Sequence, residues 1–324
     1  MITVLCGGVG AARFLRSLSG ILPSSDVTAV INTGDDTVLH GLSISPDLDT
    51  ITYTLAGAID VERGWGLRNE TWRAMESLAR MERVRPPGSS AAPTWFNLGD
   101  QDLATHLYRT ARLAEGASLT MVTTEIAEAW GVEQVLLPMT NDIVSTRLQL
   151  VEPIDGVDEI SFQEYFVKHR HGVAVRDVRF DGPVGRGPSG AAARSLAEAD
   201  AVVIAPSNPI ASIGPIRALA GIDAMLAARR DSVVAISPIV GGAALKGPAD
   251  RMLRELGHEP SVVGVARLYA QVASALVIDP ADAHLAAEVE AIGLRAIVTP
   301  SVMSTVEAGQ ALARRTLQAA GALR

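Results

Sequence analysis

Four aspartates fall in two closely spaced pairs near the start of this chain. Asp35 and Asp36 follow the apolar run Val27–Ile31, and Asp47 and Asp49 lie on either side of a leucine. Mg²⁺ prefers oxygen ligands and is usually shared between one or two carboxylates and substrate phosphates. We therefore expect Asp35 and Asp49 to contact a metal or a substrate. For Asp36 and Asp47, a ligand contact and a structural role as turn or N-cap residues are equally good explanations, because aspartate is favoured at turns and N-caps.

A glycine turn precedes these aspartates. The N-terminal residues MITVLCGGVGAARFLR place Gly7, Gly8 and Gly10 between a buried apolar run and a helical pattern. Glycines let the backbone approach a ligand closely, and the free N–H groups of a helix N-terminus favour a phosphate. The stretch lacks the third glycine of G-x-G-x-x-G and the Gly-Lys of a Walker A motif, so a plain tight turn also fits.

Two further loops follow apolar runs later in the chain. The segment APSNPIASIGPI (205–216) comes after Ala201–Ile204, and SPIVGG (237–242) comes after Val233–Ile236. Asparagine and serine side chains together with helix-start N–H groups suit the edge of a nucleobase or a ribose. Because ligands bind beyond the carboxyl ends of strands in open α/β sheets, these loops and the glycine turn predict one nucleotide site.

The middle of the chain carries aromatic and charged residues in close spacing. RGWGLRNETW (63–72) pairs two tryptophans with two arginines, and WFNLGDQD (95–102) precedes a helical pattern that contains His106 and Arg109. A flat heteroaromatic ring or a phosphate would dock on the first segment, although tryptophans that anchor a helix start fit equally well. His106 lies on the helix face of Asp102, and a helix histidine without a catalytic role is the commoner case.

These residues must be positioned by a mixed α/β framework. Strands are predicted at Ile2–Cys6, Val27–Ile31, Ala201–Ile204, Val233–Ile236, Ala275–Ile278 and Ala296–Val298, alternating with helices such as Ala211–Arg229, Pro248–Glu255 and Ser304–Ala320. That alternation predicts a parallel sheet with helices on both faces. Residues 63–150 are mostly helical in pattern, and short strands are predicted at Arg147–Val151, Glu159–Phe166 and Val173–Phe180. We therefore predict a Rossmann-like core formed by residues 1–54 and 186–324, with an inserted α+β subdomain over residues 55–185.

Composition narrows the function classes. The chain has 324 residues, 48% of them hydrophobic, and a net charge of −8, which disfavours an extended nucleic-acid surface. No apolar stretch reaches the roughly 18 residues that a membrane helix needs, and no signal peptide is recognisable. The single cysteine, Cys6, cannot form an internal disulfide. We expect a cytoplasmic protein that binds neither nucleic acid nor membrane.

Several of these motifs occur together in one known family. They are GGVGAARF, INTGDD, HGLSISPDLDT, RGWGLRNETW, LGDQDLATH, LPMTND, FQEYFVKHR, APSNPIASIGPI and SPIVGG. With them the chain resembles the 2-phospho-L-lactate transferase family of coenzyme F420 biosynthesis, whose bacterial members act as phosphoenolpyruvate transferases. The resemblance runs in order through about Pro248 and continues more weakly to the C-terminus.

The resemblance implies a reaction, a cofactor and an assembly. The family joins a three-carbon phospho-acid, carried as its guanosine diphosphate derivative, to the ribityl hydroxyl of the deazaflavin Fo, and GMP leaves. Mg²⁺ is required, the fold is a Rossmann-like α/β core with an inserted subdomain, and members are typically homodimers. The sequence does not choose between phosphoenolpyruvate, 2-phospho-L-lactate and 3-phosphoglycerate as the acid.

The resemblance also implies roles for particular residues. Asp35 and Asp49 are the expected catalytic and metal-binding residues. The expected nucleotide-binding residues are Gly8, Val9, Gly10, Asn32, Ser207, Asn208, Ser212, Gly214, Ser237 and Gly241, and the expected contacts to Fo are Asp49, Trp95, Asn97 and Asp100. Two departures from the family pattern stand out: Ala11 or Ala12 replaces a second glycine, and Gln101 replaces an arginine that many members have.

Two other functions stay open at this stage. A non-catalytic nucleotide-sugar-binding regulator, similar to the gluconeogenesis-factor family, would share the glycine turn and the acid pair. It would lack the Trp and Asp residues of 63–102. A nicotinamide dehydrogenase would place Asp35 or Asp36 on a ribose, but no His–Arg pair typical of hydride transfer stands out.

Overall fold

The computed structural model describes residues 1–182, 185 and 187–323. The strands are β1 (Ile2–Cys6), β2 (Val27–Ile31), β3 (Thr37–Leu39), β4 (Leu42–Ile44), β5 (Val135–Pro138), β6 (Ser145–Ile154), β7 (Val157–Ser161), β8 (Val175–Asp181), β9 (Ala201–Ile204), β10 (Val233–Ile236), β11 (Ile239–Val240), β12 (Ala243–Ala244), β13 (Ala275–Ile278) and β14 (Arg295–Val298). The helices are α1 (Gly8–Leu18), α2 (Pro46–Leu55), α3 (Arg73–Glu82), α4 (Asp102–Ala114), α5 (Leu119–Ala129), α6 (Gly190–Glu198), α7 (Gly214–Ala218), α8 (Ile222–Ala228), α9 (Ala249–Glu255), α10 (Val262–Tyr269), α11 (Ala286–Ala291) and α12 (Val306–Ala319).

A parallel sheet of seven strands forms the centre of the molecule, in the order β14-β13-β10-β9-β1-β2-β5. Side chains on its inner strands alternate between two cores. Leu5, Val30 and Ile204 pack into the core that includes Leu226 of α8, while Val4 packs into the core that includes α1 and α12. Because helices cover both faces, the inner strands are continuously apolar. The predicted doubly covered parallel sheet is confirmed.

Most predicted strands have the predicted bounds, and β14 begins one residue earlier. The predicted helix Ala211–Arg229 is wrong as one element. A loop precedes α7, and Gly221, with a φ of 91°, separates α7 from α8. The strand β5 was missed altogether. It lies within the predicted insertion of residues 55–185 yet pairs in parallel with β2 at one edge of the main sheet.

The rest of the middle region contains α3, α4, α5 and an antiparallel sheet in the order β7-β6-β8, while the hairpin β3–β4 precedes α2. The predicted strand Glu159–Phe166 ends at Ser161, and residues Glu164–Lys168 form a π-helix instead. The predicted domain boundary at residue 186 lies outside the described residues. No helix in the described ranges combines the length and apolar character needed to cross a bilayer.

The order of the strands reverses at β1. From β1 the chain proceeds outward through β2 to β5, and then returns through α6 to β9 on the opposite side of β1. In open α/β sheets a ligand crevice forms where the connections diverge in this way, outside the carboxyl ends of the strands. The loops that follow β1 and β9 must therefore meet at one end of the sheet.

Candidate functional site

The glycine turn after β1 packs directly against the loop after β9. The N–H of Gly7 donates to Ser207 Oγ (3.2 Å), and that hydroxyl donates to the carbonyl oxygen of Gly7 (2.9 Å). A Cβ on Gly10 would lie 2.5 Å from the carbonyl oxygen of Pro206, and a Cβ on Gly7 would lie 3.0 Å from Cβ of Ser212. Glycine is required at position 10 because the two backbones approach there more closely than a side chain allows.

Helix α1 begins within this turn, and one of its free N–H groups already has a partner. Gly8 has a φ of 76°, and its N–H donates to Asp47 Oδ1 (2.7 Å). Asp47 is thus a capping residue, which is one of the two interpretations that the sequence allows. The helix that it caps is α1, since its partner Gly8 lies 39 residues earlier in the chain. The N–H groups of Val9 and Gly10 belong to the same first turn, where intrahelical acceptors are lacking. They suit a phosphate.

Asn32 links the two aspartate pairs. Its Nδ2 donates to Asp47 Oδ2 (3.0 Å) and to Asp35 Oδ1 (3.1 Å), and its Oδ1 accepts the N–H of Gly34 (2.8 Å). The other oxygen of Asp35 accepts from Nε2 of Gln163 (3.3 Å) in the middle region. The polar atoms of Asn32, a predicted nucleotide contact, are thus committed to the carboxylates and the backbone around them.

Asp36 presents the free oxygen of this cluster. Its Oδ2 accepts from Ser45 Oγ (2.7 Å), whereas its Oδ1 is buried and has no hydrogen-bond partner among the described residues. A buried carboxylate oxygen without a partner is unfavourable unless a cation or water contacts it. Asp36, which the sequence left open as a turn residue, is therefore the carboxylate best prepared to receive a ligand.

Asp49 is held by a buried arginine. Arg109 Nη1 donates to Asp49 Oδ2 (3.1 Å), and Nη2 bonds to Oδ1. Nδ1 of His106 lies 3.3 Å from Arg109 Nη1, while its Nε2 lies 3.3 Å from Asp102 Oδ2. Tyr53 donates its hydroxyl proton to Asp102 Oδ1 (2.6 Å). A chain of contacts therefore runs from α4 through Arg109 to the carboxylate of Asp49.

Burial and mutual repulsion raise the pKa values of this cluster. Burial, together with the charges of Asp47 and Asp36, raises the pKa of Asp35 well above its ordinary value. Burial likewise raises the pKa of Asp36, although the hydrogen bond from Ser45 and the charge of Arg109 oppose it. Burial raises the pKa of Asp47 to about 6 despite the hydrogen bonds from Asn32 and Gly8. The carboxylates therefore resist being charged together without a further cation.

These features fit Mg²⁺. The donors are oxygens, Asp36 Oδ1 lacks a partner among the described residues, and Arg109 forms its ion pair with Asp49 rather than with the other three aspartates. Ligand atoms of Asp49, Asp102 and His106 also lie within 4.8 Å of one another. That second group fits a metal poorly, because the Arg109 guanidinium is bonded to Asp49 and lies beside His106.

Several predicted nucleotide contacts make hydrogen bonds that stabilise the loops around them. The hydroxyl of Ser237 donates to the carbonyl oxygen of Ile239 (3.0 Å), and the N–H of Gly241 donates to Asp282 (2.9 Å). Asn208 Oδ1 accepts the N–H groups of Ile210 and Ala211, at 2.9 and 3.2 Å.

The rest of the loop after β9 lies closer to the glycine turn. Ser212 is half-buried beside Gly7, and its hydroxyl makes no hydrogen bond to the described residues. Gly214 begins α7, and a Cβ there would lie 2.9 Å from Phe180 Cζ. Ser212 thus offers a free hydroxyl beside the turn.

The predicted contacts to Fo around Trp95 are mostly engaged in capping and packing. Asp100 accepts hydrogen bonds from Thr71 Oγ1 (2.6 Å) and from the N–H groups of Arg73 and Ala74, so it caps α3. These hydrogen bonds, led by that of Thr71, lower the pKa of Asp100. Trp95 packs edge-on against Phe96 with ring centroids 5.8 Å apart, and Asn97 is exposed. The role of these residues toward Fo stays a prediction.

Neighbouring segments also have structural roles. Glu70 accepts the N–H groups of Gln101 (2.7 Å) and Asp102 (3.2 Å) and so caps α4. The guanidinium of Arg63 lies over the rings of Trp65 and Trp72, at 5.4 and 5.3 Å. The helix-anchoring interpretation fits Trp72, which is the N-cap residue of α3, and ligand docking on the segment stays a prediction.

Sequence reasoning missed two functional partners of the cluster. Arg109 was noted only as part of a helix, although its spacing from Asp102 and His106 places all three on adjoining positions of α4. That spacing was a usable signal. For Gln163 no local signal exists, because its partner Asp35 lies 128 residues away.

This chain is similar to a known family and to several named proteins. Residues 2–298 match the family model described as 2-phospho-L-lactate transferase CofD. A phosphoenolpyruvate transferase from Streptomyces griseus is 41% identical over 324 residues, covering 100% of this chain and 99% of the relative. The phosphoenolpyruvate transferase of Mycobacterium ulcerans is 39% identical, with 99% of this chain and 98% of the relative covered.

A solved structure shows the same fold. A protein of the UPF0052 family from Bacillus halodurans superposes with a TM-score of 0.60 at 15% identity, covering 98% of both chains. At this identity the likeness concerns the fold alone. The family match over nearly the whole chain has a clearer meaning: this chain belongs to the 2-phospho-L-lactate transferase family.

Proposed function

We propose that this protein transfers a phosphoenolpyruvyl or 2-phospho-L-lactyl group from its guanosine diphosphate derivative to the deazaflavin Fo, releasing GMP and forming (dehydro-)coenzyme F420-0. The single observation that carries the proposal is the meeting of the glycine turn, the loop after β9 and four aspartates at one end of the sheet. The names of its relatives, phosphoenolpyruvate transferases at about 40% identity, support the choice of reaction.

The reaction is a displacement at phosphorus. The terminal hydroxyl oxygen of Fo bonds to the phosphorus that bears the three-carbon acid, and the bond from that phosphorus to the bridging oxygen breaks. The electron pair leaves with GMP, and the hydroxyl proton passes to a carboxylate of the cluster or to water. Such a reaction depends mainly on positioning and on stabilising charge.

The residues divide this work by location. The N–H groups of Val9 and Gly10 bind the diphosphate at the start of α1. Asp49, whose carboxylate Arg109 fixes, orients the hydroxyl of Fo. Asp35 and Asp36 would hold Mg²⁺, which would neutralise phosphate charge when bound.

Product analysis tests the proposal. Purified protein is incubated with MgCl₂, Fo and each guanylated donor in turn, and the products are identified by mass spectrometry. We expect GMP and one Fo adduct, with the enolpyruvyl donor turned over fastest. Binding of Fo is followed through its fluorescence. If the protein binds the guanylated donor but not Fo, the proposal is contradicted and the non-catalytic nucleotide-sugar-binding regulator is favoured. The homodimer stays a prediction that light scattering after size exclusion checks.

A further inference from the structure

Helix α4 packs into the protein through polar side chains. Its buried residues, in a helix that the structure describes in full, are Thr105, His106 and Arg109. A helix that packs on a core normally buries an apolar stripe, and burying a charged group costs free energy unless the group is paired. Apolar residues of similar size often stabilise a protein as well as a buried ion pair does. A role other than stability therefore explains this polar face better.

The contacts of His106 assign roles to its two ring nitrogens. Nδ1 lies 3.3 Å from Nη1 of Arg109, and arginine can only donate hydrogen bonds. Asp49 Oδ2 is farther from Nδ1, at 3.7 Å, and already accepts from Arg109. Nδ1 is therefore an acceptor, which leaves the ring proton on Nε2.

Asp102 is the partner that faces this proton. Nε2 of His106 is buried and lies 3.3 Å from Asp102 Oδ2, but at too oblique an angle to count as hydrogen-bonded to any described residue. Hydrogen bonds of catalytic groups are often poorly aligned before the substrate binds and tighten in the complex. The proton carried by one ring nitrogen of a histidine is set by such a neighbour.

Tyr53 keeps Asp102 in the state that this contact requires. Burial, followed by the charges of Asp49 and Asp102, raises the pKa of Tyr53 far above its ordinary value. Its hydroxyl therefore stays protonated and donates to Asp102 Oδ1 (2.6 Å). Burial acts to raise the pKa of Asp102, but the contacts with His106 and Tyr53 outweigh it and lower that pKa. The other oxygen, Oδ2, is thus an ionised acceptor beside Nε2.

We infer that His106 is a positioning residue for group transfer, held by Asp102 with its proton on Nε2. Its Nδ1 accepts from Arg109 and so keeps the guanidinium aligned with both oxygens of Asp49. The carbonyl oxygen of Ser43 accepts from the same Nη1 at 3.4 Å, so the guanidinium is held from two sides. The inference rests on the proposed function, in which Asp49 orients the hydroxyl of Fo, and it adds the residues that set the direction of that carboxylate.

Two substitutions with the same branched shape test the inference on the purified full chain. His106→Asn keeps an acceptor oxygen bonded to Cγ, where histidine has Nδ1, whereas His106→Leu has no acceptor. Because misplacing a catalytic group by about 1 Å can cost roughly 100-fold in rate, we expect kcat to fall about 100-fold in His106→Leu and less than about tenfold in His106→Asn. KM for Fo and for the guanylated donor should stay within about threefold of the wild type, since the alignment acts on the transition state.

A role in packing alone predicts the reverse order. Leucine is tolerated better than asparagine at a buried position, so His106→Leu would then be the more active and the more stable variant. Urea unfolding of both variants, run beside the kinetics, separates loss of activity from loss of structure. A higher kcat in His106→Leu than in His106→Asn overturns the inference.

Nuclear magnetic resonance reads the ring proton without any turnover. Long-range ¹H–¹⁵N spectra of protein labelled in its histidines distinguish a proton on Nε2, a proton on Nδ1 and a doubly protonated ring, and His106→Asn identifies the signals of His106. We expect the proton on Nε2 in the wild type. In Asp102→Asn the hydroxyl of Tyr53 retains the amide oxygen, so the amide NH₂ faces Nε2, the ring proton moves to Nδ1, and kcat falls as far as in His106→Leu. A proton on Nδ1 in the wild type overturns the inference.

His258→Leu is the matched control. His258 is exposed on the loop after α9, so this variant should keep the wild-type kcat. If the wild type, His106→Asn and His106→Leu have equal kcat values, the inference is overturned while the proposed function stands. If wild-type protein neither binds Fo nor forms product, the proposed function fails, and this inference fails with it.

Discussion

Arg109 and Asp49 form a bidentate ion pair in which the arginine is 2% exposed and the aspartate 5%. The arginine comes from α4 of the middle region, and the aspartate from the first turn of α2 beside the core. The pair fixes one carboxylate of the site in a defined orientation. It also leaves Asp35, Asp36 and Asp47 without an ion-pair partner among the described residues.

Replacing Arg109 should destabilise the fold. Arg109→Met leaves the Asp49 carboxylate buried without its partner, and breaking a buried pair in this way costs about 3–5 kcal/mol. Urea unfolding measures the loss. Arg112→Met, which breaks a more accessible, half-buried pair with Glu125, is the control and should cost less. Equal urea midpoints for the two variants would show that the buried pair stabilises the fold no more than the pair between Arg112 and Glu125.

Replacing Asp49 should abolish transfer. Asp49→Ala removes the carboxylate proposed to orient the hydroxyl of Fo, so we expect no turnover in steady-state assays. Asp49→Asn keeps the volume of the side chain and separates loss of charge from loss of structure. A near-normal rate for Asp49→Ala at saturating Mg²⁺ would rule out this role.

The stability of the protein without Mg²⁺ should fall as the pH rises through about 6. The pKa of Asp47 is raised to about 6 by burial, so the folded protein holds this proton more tightly than the unfolded chain. Its contribution is full below the unfolded pKa near 4 and is lost as the pH rises through about 6. The raised pKa values of Asp35 and Asp36 act in the same direction. Calorimetry across pH 4–8 should show this slope, and Asp47→Asn should reduce it.

Mg²⁺ should raise the Tm more at pH 7.5 than at pH 5. Protons and the metal compete for the same carboxylates, so binding is stronger where the aspartates are charged. Thermal unfolding with and without MgCl₂ at both pH values measures the difference. Asp158→Asn, an exposed position on β7, serves as the control and should retain the wild-type response. An identical Tm shift at both pH values would argue against carboxylate ligation.

A methyl group on Gly10 should separate the two loops of the crevice. In Gly10→Ala the new Cβ would lie 2.5 Å from the backbone carbonyl oxygen of Pro206. Only a shift of the backbone can relieve this contact. Overpacking of this kind costs about 1–3 kcal/mol, and we expect weaker binding of the guanylated donor by calorimetric titration. Gly190→Ala is the control, because its nearest neighbour is the end of the Arg194 side chain at 3.6 Å. Unchanged donor affinity in Gly10→Ala would show that the loops do not have to meet this closely.

The sequence by itself determined most of the sheet and the place of the crevice. Val27–Ile31 and Val233–Ile236 are continuous apolar runs bounded by polar loops, and burial on both faces requires that pattern. The strand Val135–Pro138 was missed because it is short and follows a helical segment, and its pairing with β2 is not local. Apolar content located the strands but could not show which distant strand each one pairs with.

Only the tertiary structure decided what each aspartate does. Asp47 bonds to Gly8 from 39 residues away, and Asp49 bonds to Arg109 across 60 residues. Residue type and spacing can bring acidic side chains to one edge of a sheet, since strand ends converge there. Whether a carboxylate oxygen forms an ion pair, accepts a backbone N–H or stays free depends on partner residues that are distant in the sequence. The residues next to each aspartate carry no sign of these partners.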